Sequence, residues 1–413
     1  MSHPRQNTLL VVSQVYPPDP TSVGQHMHDA SAEMAKRGWR VIVYCANRDY
    51  NNPAIKFPRR ETRDGVEIRR LPFSSFGKSS ILIRIIAGLS FTLQAAFRGL
   101  FLRKLQLMLV STSPPMCGMA AVIIGAFRNV DVTFWAMDLN PDQMVALGKA
   151  SPDSLIVRGF DWLNRLILKR SRTVVALDRF MAERLLLKAN INDKLVVIPP
   201  WPHEDHIESV NHADNPFRAD QGLVDKTVIM YSGNLSMASP VTTIVAAARR
   251  VEDLTNMVFL FIGGGVAKQE IDLLIARENP PNIRSLPYQP IETLRYSLSA
   301  ADVHLVSVGN EIVGICHPCK IYGSMTVARP ILCLGPRPSH ATDIVDGEQV
   351  GWTVEHGDVD GAETILREIY EQTHENRMEM GRRARAIANR RFTKDGLCGQ
   401  FCDALEHGPK RDG

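Results

Sequence analysis

Short apolar runs recur along the chain, separated by stretches with helical periodicity. In the first half they are LLVV (9–12), VIVYCA (41–46), LQLMLVST (105–112), DVTFWAMD (131–138), TVVAL (173–177) and KLVVIPP (194–200). In the second they are TVIMYSG (227–233), MVFLFIGGG (257–265), NIRSLPY (282–288), ADVHLVSV (301–308) and ARPILCLG (328–335). Most are short and rich in Val, Ile and Leu, as suits parallel strands buried on both faces. Helical patterns lie between them, such as HDASAEMAKRG (28–38), closed by Gly38, and PVTTIVAAARRVEDL (240–254). Strand and helix alternating twice over predicts an α/β protein of two doubly wound, Rossmann-like domains.

The segment IPPWPHEDH (198–206) is the expected boundary, because Pro199, Pro200 and Pro202 forbid a helix or a central strand. The expected domains are residues 1–200 and 201–390, followed by a helical tail at 391–413 that contains LCGQFCDALEH. A chain of 413 residues suits two such cores, and 45% hydrophobic with 22% charged residues is ordinary for a water-soluble protein. Seven cysteines without a disulfide framework point to a reducing, cytoplasmic compartment. The opening apolar run is too short for a signal peptide.

Charge changes this picture. The net +4 hides an asymmetry: residues 1–200 hold 27 Lys and Arg against 15 Asp and Glu, and the remainder holds 21 against 29. A basic half can face nucleic acid or an anionic membrane. No nucleic-acid motif and no interleaving of aromatic with basic residues is present, so the membrane is favoured and nucleic acid is not expected.

Candidate chemistry sits just after the strands, where open α/β sheets bind ligands. Two such domains facing each other would leave a cleft lined by these segments. After the first strand, Pro17, Pro18 and Pro20 form a rigid turn and Gly24 opens a helix. Its backbone N–H groups could receive a phosphate or a sugar hydroxyl, or the glycine could serve a tight loop. Gly263, Gly264 and Gly265 allow a ligand close to the backbone, although Lys268 breaks a full G-x-G-x-x-G. In GICHPCKIYGSM (314–325), Pro318 suits a first helical turn, with the N–H groups of Cys319, Lys320 and Ile321 exposed. Lys320 adds a full charge to the helix dipole there, a sensible diphosphate site, or is a solvated surface lysine.

These pieces resemble a GT-B glycosyltransferase of the family 4 kind, similar to bacterial enzymes of exopolysaccharide, colanic-acid or O-antigen assembly. The matching segments are YPPDPTSVGQHMHDASAEMAKRGWRVIVY, STSPPMCG, MDLNPDQ, VVALDRFMAERL, VIPPW, YSGNLSMA, FIGGG and HPCKIYGSMTVARPIL. The resemblance implies that Gly24 faces the donor phosphate and reacting sugar, and that Asp138 is the acidic residue near that sugar. It implies donor contacts at Gly233, Asn234, Gly263, Gly264, Gly265, Tyr288, Gln289 and Lys320. Cys319 stands where the family pattern has serine. It further implies a retaining hexosyltransferase that needs no metal or cofactor, a nucleotide sugar as donor and a lipid-linked saccharide as acceptor.

Two departures stand out. Ile315 and Gly323 occupy the places of the family's E-x(7)-E carboxylates, the second of which binds the ribose, and Glu311 lies nearby out of register. Asn234 to Met237 lacks the usual Arg and Lys. A binding or scaffold protein that lost its chemistry is therefore a second reading, and a nucleotide-sugar 2-epimerase a third. Cys316 and Cys319 could form half a zinc site with Cys398 and Cys402, but are read as ordinary buried or semi-buried residues. Asp358-Val359-Asp360 imitates a metal-binding D-x-D and is read as a helix cap.

The most apolar stretch is 79–109. Its longest charge-free run, Ile85 to Phe97, is too short to span a bilayer, and Lys78, Arg84, Arg98, Arg103 and Lys104 flank or interrupt it. It is either an in-plane helix on an anionic leaflet or a core helix covering the first sheet. The expectation is a cytoplasmic protein, peripheral on the inner face of the plasma membrane.

Overall fold

A computed structural model describes residues 7–19, 21–49, 52–74, 81–203 and 207–409, without the side chains of residues 81, 82 and 84. Pro20, Lys78, the Arg84 side chain and the 204–206 part of the expected boundary lie outside this description. The chain forms two compact units. One comprises Met1–Pro200 together with Asp395–Gly413, the other Trp201–Lys394.

The first unit is built on β1 (Thr8–Val12), β2 (Arg40–Ala46), β3 (Arg60–Arg63), β4 (Val66–Leu71), β5 (Leu105–Val110), β6 (Asp131–Trp135), β7 (Thr173–Ala176) and β8 (Leu195–Val197). They form one sheet in the order β3-β4-β2-β1-β5-β6-β7-β8. All neighbours are parallel except β3, which pairs antiparallel with β4 at the edge. The charged β3–β4 hairpin was not expected from apolar patterning. Its turn is Asp64-Gly65, both with positive φ, 50° and 77°, the geometry of a tight hairpin turn. Thr8 to Val12 is buried at every position, as a central parallel strand requires.

The second unit carries β9 (Thr227–Asn234), β10 (Met257–Gly264), β11 (Ile283–Leu286), β12 (Val303–Ser307), β13 (Ile331–Leu334) and β14 (Gly351–Val354). This sheet is wholly parallel, in the order β11-β10-β9-β12-β13-β14. Successive residues feed opposite faces. Ile229, Tyr231, Phe259 and Phe261 join one core cluster, and Val228, Met230, Val258 and Leu260 the other. β14 was also not anticipated.

Both sheets reverse strand order beside their first strand, between β1 and β5 and between β9 and β12. That reversal opens a crevice at the carboxyl ends of the strands, where such sheets take ligands. The last helix, Lys394–His407, returns to the first unit. Phe401 packs on Trp135 with ring centroids 4.0 Å apart, and Arg37 pairs with Asp403 at 2.7 Å. Among the described residues, no helix is long and apolar enough to cross a membrane.

Candidate functional site

In the second unit the site begins with parallel pairing. β9 and β10 run in register to their last residues, so Gly233 lies opposite Gly263 and Asn234 opposite Gly264. Gly233, Gly263 and Gly265 take φ of 128°, 134° and 111°, which side chains other than glycine's rarely adopt. Space is as restrictive as conformation. A methyl on Gly263 would lie 2.0 Å from Gly233 O, and one on Gly265 2.3 Å from Leu235 O and 2.5 Å from Asn234 Oδ1. Bare backbone is therefore obligatory at these strand ends.

Side chains from two other segments reach the same place. Lys320 extends to Gly233, where a methyl would meet its Cε at 2.7 Å, and its Nζ stands 5.2 Å from the Tyr231 ring centroid. The ring face is an attractive seat for the ammonium. Tyr288 comes in from the loop after β11, and a methyl on Gly264 would meet its ring at 3.0 Å. Burial raises the Tyr288 phenol above its ordinary pKa, opposed by the Lys320 charge. Seven expected donor residues thus converge: Gly233, Asn234, Gly263, Gly264, Gly265, Tyr288 and Lys320. Gln289 is partly buried, and its Nε2 donates to Pro287 O at 2.9 Å.

The start of the lysine helix differs from expectation. The helix is short, Lys320–Thr326, and its first turn closes on itself. The Cys319 N–H donates to His317 O at 3.0 Å and the Ile321 N–H to Pro318 O at 3.2 Å. These two donors are used within the turn, and the Lys320 side chain brings the full positive charge to the site. Tyr322, buried behind it, bonds His317 Nε2 at 2.8 Å and His340 Nε2 at 3.0 Å. This bridge braces the turn; the sequence signals it only as two histidines beside proline-containing turns. Ile315 is buried, Gly323 has open space at its α-carbon, and Glu311 is exposed in a short 3-10 turn.

In the first unit a cavity of about 590 Å³ opens at the crevice between β1 and β5. Asp138 lines it, together with polar Gln14, Thr21, Thr112 and Gln143 and apolar Met144 and Phe160. The loops after three strands are stitched together there: Gln14 N–H donates to Ser113 O at 2.7 Å and Asp138 N–H to Thr112 Oγ1 at 3.1 Å. Thr21 caps the helix Ser22–Lys36 without using its hydroxyl, and its Oγ1 is buried with no hydrogen-bond partner among the described residues. Gly24 is not in the cavity wall. It is buried inside that helix, and a methyl there would lie 3.1 Å from Tyr16 Cα and N. Its observed role is a close helix-to-loop approach, the tight-loop alternative.

The decoys resolve locally. Asp358 caps the helix Val359–Glu371 by accepting from the Gly361 N–H at 2.8 Å, and Asp360 pairs with Arg250. Cys398 and Cys402 are buried in the last helix, and Cys316 is partly covered. Cys319 is exposed, contrary to its reading as a semi-buried residue.

Residues 21–201 match the glycosyl transferase 4-like domain family. A Pseudomonas aeruginosa protein named as a probable glycosyltransferase, WbjE, is 24% identical over 345 residues, 81% of this chain and 85% of its own. The crystal structure of WaaG, a glycosyltransferase involved in lipopolysaccharide biosynthesis, superposes with a TM-score of 0.70 at 14% identity, covering 97% of this chain and 100% of WaaG. HepE of Anabaena in complex with UDP-glucose gives a TM-score of 0.68 at 13% identity, covering 96% and 99%. Two parallel-sheet units and structural likeness along nearly the whole chain give this protein the GT-B fold, and residues 21–201 carry a glycosyl transferase 4-like domain.

Proposed function

We propose that the protein moves a hexose from a nucleotide-diphosphate donor to a lipid-linked saccharide during assembly of a cell-surface polysaccharide. The observation that carries this reading is the convergence of bare glycine backbone, Tyr288 and Lys320 at the ends of β9 and β10. Such a place suits a diphosphate: backbone can approach it, and a half-buried ammonium offsets its charge. UDP-glucose in the structurally similar HepE supports a nucleotide sugar as the ligand class. Seven cysteines, none of them in a disulfide, support a reducing, cytoplasmic setting.

In the reaction, the bond from the anomeric carbon to the diphosphate oxygen breaks and its electron pair leaves with the diphosphate. Lys320 stabilises that growing charge, so no metal is needed in this reading. An acceptor hydroxyl attacks the anomeric carbon, and its proton passes to the departing diphosphate oxygen. Asp138 orients this hydroxyl or shields the cationic sugar, and the family resemblance implies retention of configuration. The mixed walls of the first unit's cavity, polar at Gln14, Thr112 and Asp138 and apolar at Met144 and Phe160, suit a saccharide carried on a lipid.

A panel of nucleotide sugars is incubated with the protein and a membrane lipid extract, and donor consumption is followed by mass spectrometry. Turnover of one donor that requires the extract, survives EDTA and collapses in Lys320→Ala is the expected result. The absence of both carboxylates, at Ile315 and Gly323, favours a second reading, a nucleotide-sugar-binding protein without turnover. Binding without consumption would establish it, and conversion of donor without acceptor would indicate an epimerase.

A further inference from the structure

The helix Ile81–Leu100 has two unlike faces. Ala87, Gly88, Phe91, Ala95, Ala96 and Gly99 are buried, and a methyl on Gly99 would come 2.3 Å from Ile124 Cδ1. This face covers the sheet. The opposite face holds Ile86, Leu89, Leu93 and Phe97, with Phe101 just past the helix end, exposed by 50, 36, 57, 66 and 73%. A surface helix ordinarily turns charge outward. A row of large apolar side chains in water marks a contact surface.

At the end of this row, Phe97 and Phe101 wall a pocket of about 580 Å³. Its other walls bring Arg59, Arg60, Arg69, Arg70 and Arg98 together, and among the described residues no acidic one lines it. Arg70 is turned inward, paired with Glu61 at 2.7 Å and bonded to Pro17 O and Pro58 O. Arg69 pairs with Glu67 at 2.7 Å, a carboxylate shared with Arg40. Arg59, Arg60 and Arg98 are exposed and have no carboxylate partner among the described residues. The hairpin turn at Asp64-Gly65 is what folds the two arginine pairs of RRETRDGVEIRR into one wall.

We propose that this face docks on an anionic phospholipid bilayer, the apolar row entering the acyl boundary and the arginine pocket holding a lipid phosphate. Guanidinium groups match phosphate oxygens in geometry as well as charge. A second copy of the chain fits poorly, because a twofold contact through this row would bring two uncompensated arginine pockets together. The same helix lends Ile85, Ala87 and Gly88 to the first unit's cavity. From Ile85 to Phe97 is about 18 Å at 1.5 Å per residue. A bilayer lying along the helix therefore passes the cavity wall, and a lipid-linked acceptor can be reached without leaving its leaflet. The last point rests on the acceptor reading; the docking surface does not.

The full chain is sedimented with vesicles of phosphatidylcholine alone or mixed with phosphatidylglycerol, at low and high salt. Binding to the anionic vesicles at low salt, weakened by salt and absent from neutral vesicles, is expected. Replacing Arg60→Ala and Arg98→Ala together should weaken binding about 25-fold, about fivefold for each charge. Phe97→Ser with Phe101→Ser should weaken it at least as much, with thermal melting unchanged because both side chains are exposed. No binding to anionic vesicles at low salt overturns the proposal, as does unchanged binding in either double variant. A dimer in analytical ultracentrifugation that Phe97→Ser with Phe101→Ser abolishes would assign the row to a second copy instead. Sedimentation reads docking alone, so its failure leaves sugar transfer standing, and the converse holds.

Discussion

The two crevices of this protein occupy equivalent places in equivalent sheets and are made of different material. At the ends of β9 and β10 the walls are main chain, with positive-φ glycines where side chains would collide. At the ends of β1, β5 and β6 the walls are side chains, polar on one side and apolar on another. Main-chain walls fix one geometry and suit a ligand part common to all donors, the diphosphate. Side-chain walls are open to change by single substitutions and suit the part that varies, the acceptor.

The contrast is easiest to break at Gly263. Alanine there would place a methyl 2.0 Å from Gly233 O, with φ at 134°. We expect a loss of more than ~3 kcal/mol in unfolding free energy, or no folded second unit, and no nucleotide binding. Urea titration with a fluorescent nucleotide reports both, and a wild-type midpoint with normal binding would refute a backbone-built site.

Lys320→Ala separates chemistry from architecture. It should lower kcat/KM for the donor about a hundredfold while leaving the urea midpoint in place. An unchanged kcat/KM would make Lys320 a surface lysine.

Acid should strain the second unit first. Burial pushes His212 and His304 down from 6.5 to about 4. Each therefore takes up a proton more readily in the unfolded chain, so stability falls as pH drops from 6.5 toward 4. The slope reaches about 1.4 kcal/mol per pH unit for each histidine. The depressed Asp302 carboxyl adds a further loss only as pH falls below 3.8. Urea midpoints between pH 7 and pH 4.5 test this, and His304→Gln should flatten the curve.

The gentlest probe is the side-chain crevice. Met144→Ala should raise the KM for a lipid-linked acceptor about fivefold and leave the donor KM alone, read by initial rates over both substrates. Equal effects on both would remove the division of labour.

Much of this was legible in the chain. The Val-, Ile- and Leu-rich runs gave nearly every parallel strand, because strands buried on both faces must be continuously apolar. The glycines and Lys320 were legible as a group because each closes or follows a strand, where the topology collects residues distant in sequence. The β3–β4 hairpin escaped since RETR carries no apolar alternation, although Asp64-Gly65 is a strong hairpin signal. With it went the arginine pocket, which exists only once the hairpin closes. Gly24 was placed by resemblance at the donor, and its packing against Tyr16 shows that one glycine can answer a steric demand unrelated to ligand. The helix 81–100 covers the sheet with one face, as its core-helix reading expected, and its other face carries the exposed apolar row on which membrane docking is proposed.

The return of residues 395–409 to the first unit has a consequence for biosynthesis. The second unit's residues are complete before Phe401, Asp403 and Glu406 leave the ribosome, whereas Trp135, Arg37 and Trp39 wait for these partners. The amino-terminal unit is thus the last to finish folding, an inversion of the usual vectorial order. A nascent chain arrested before Phe401 emerges would carry a finished second unit and an unsealed first one.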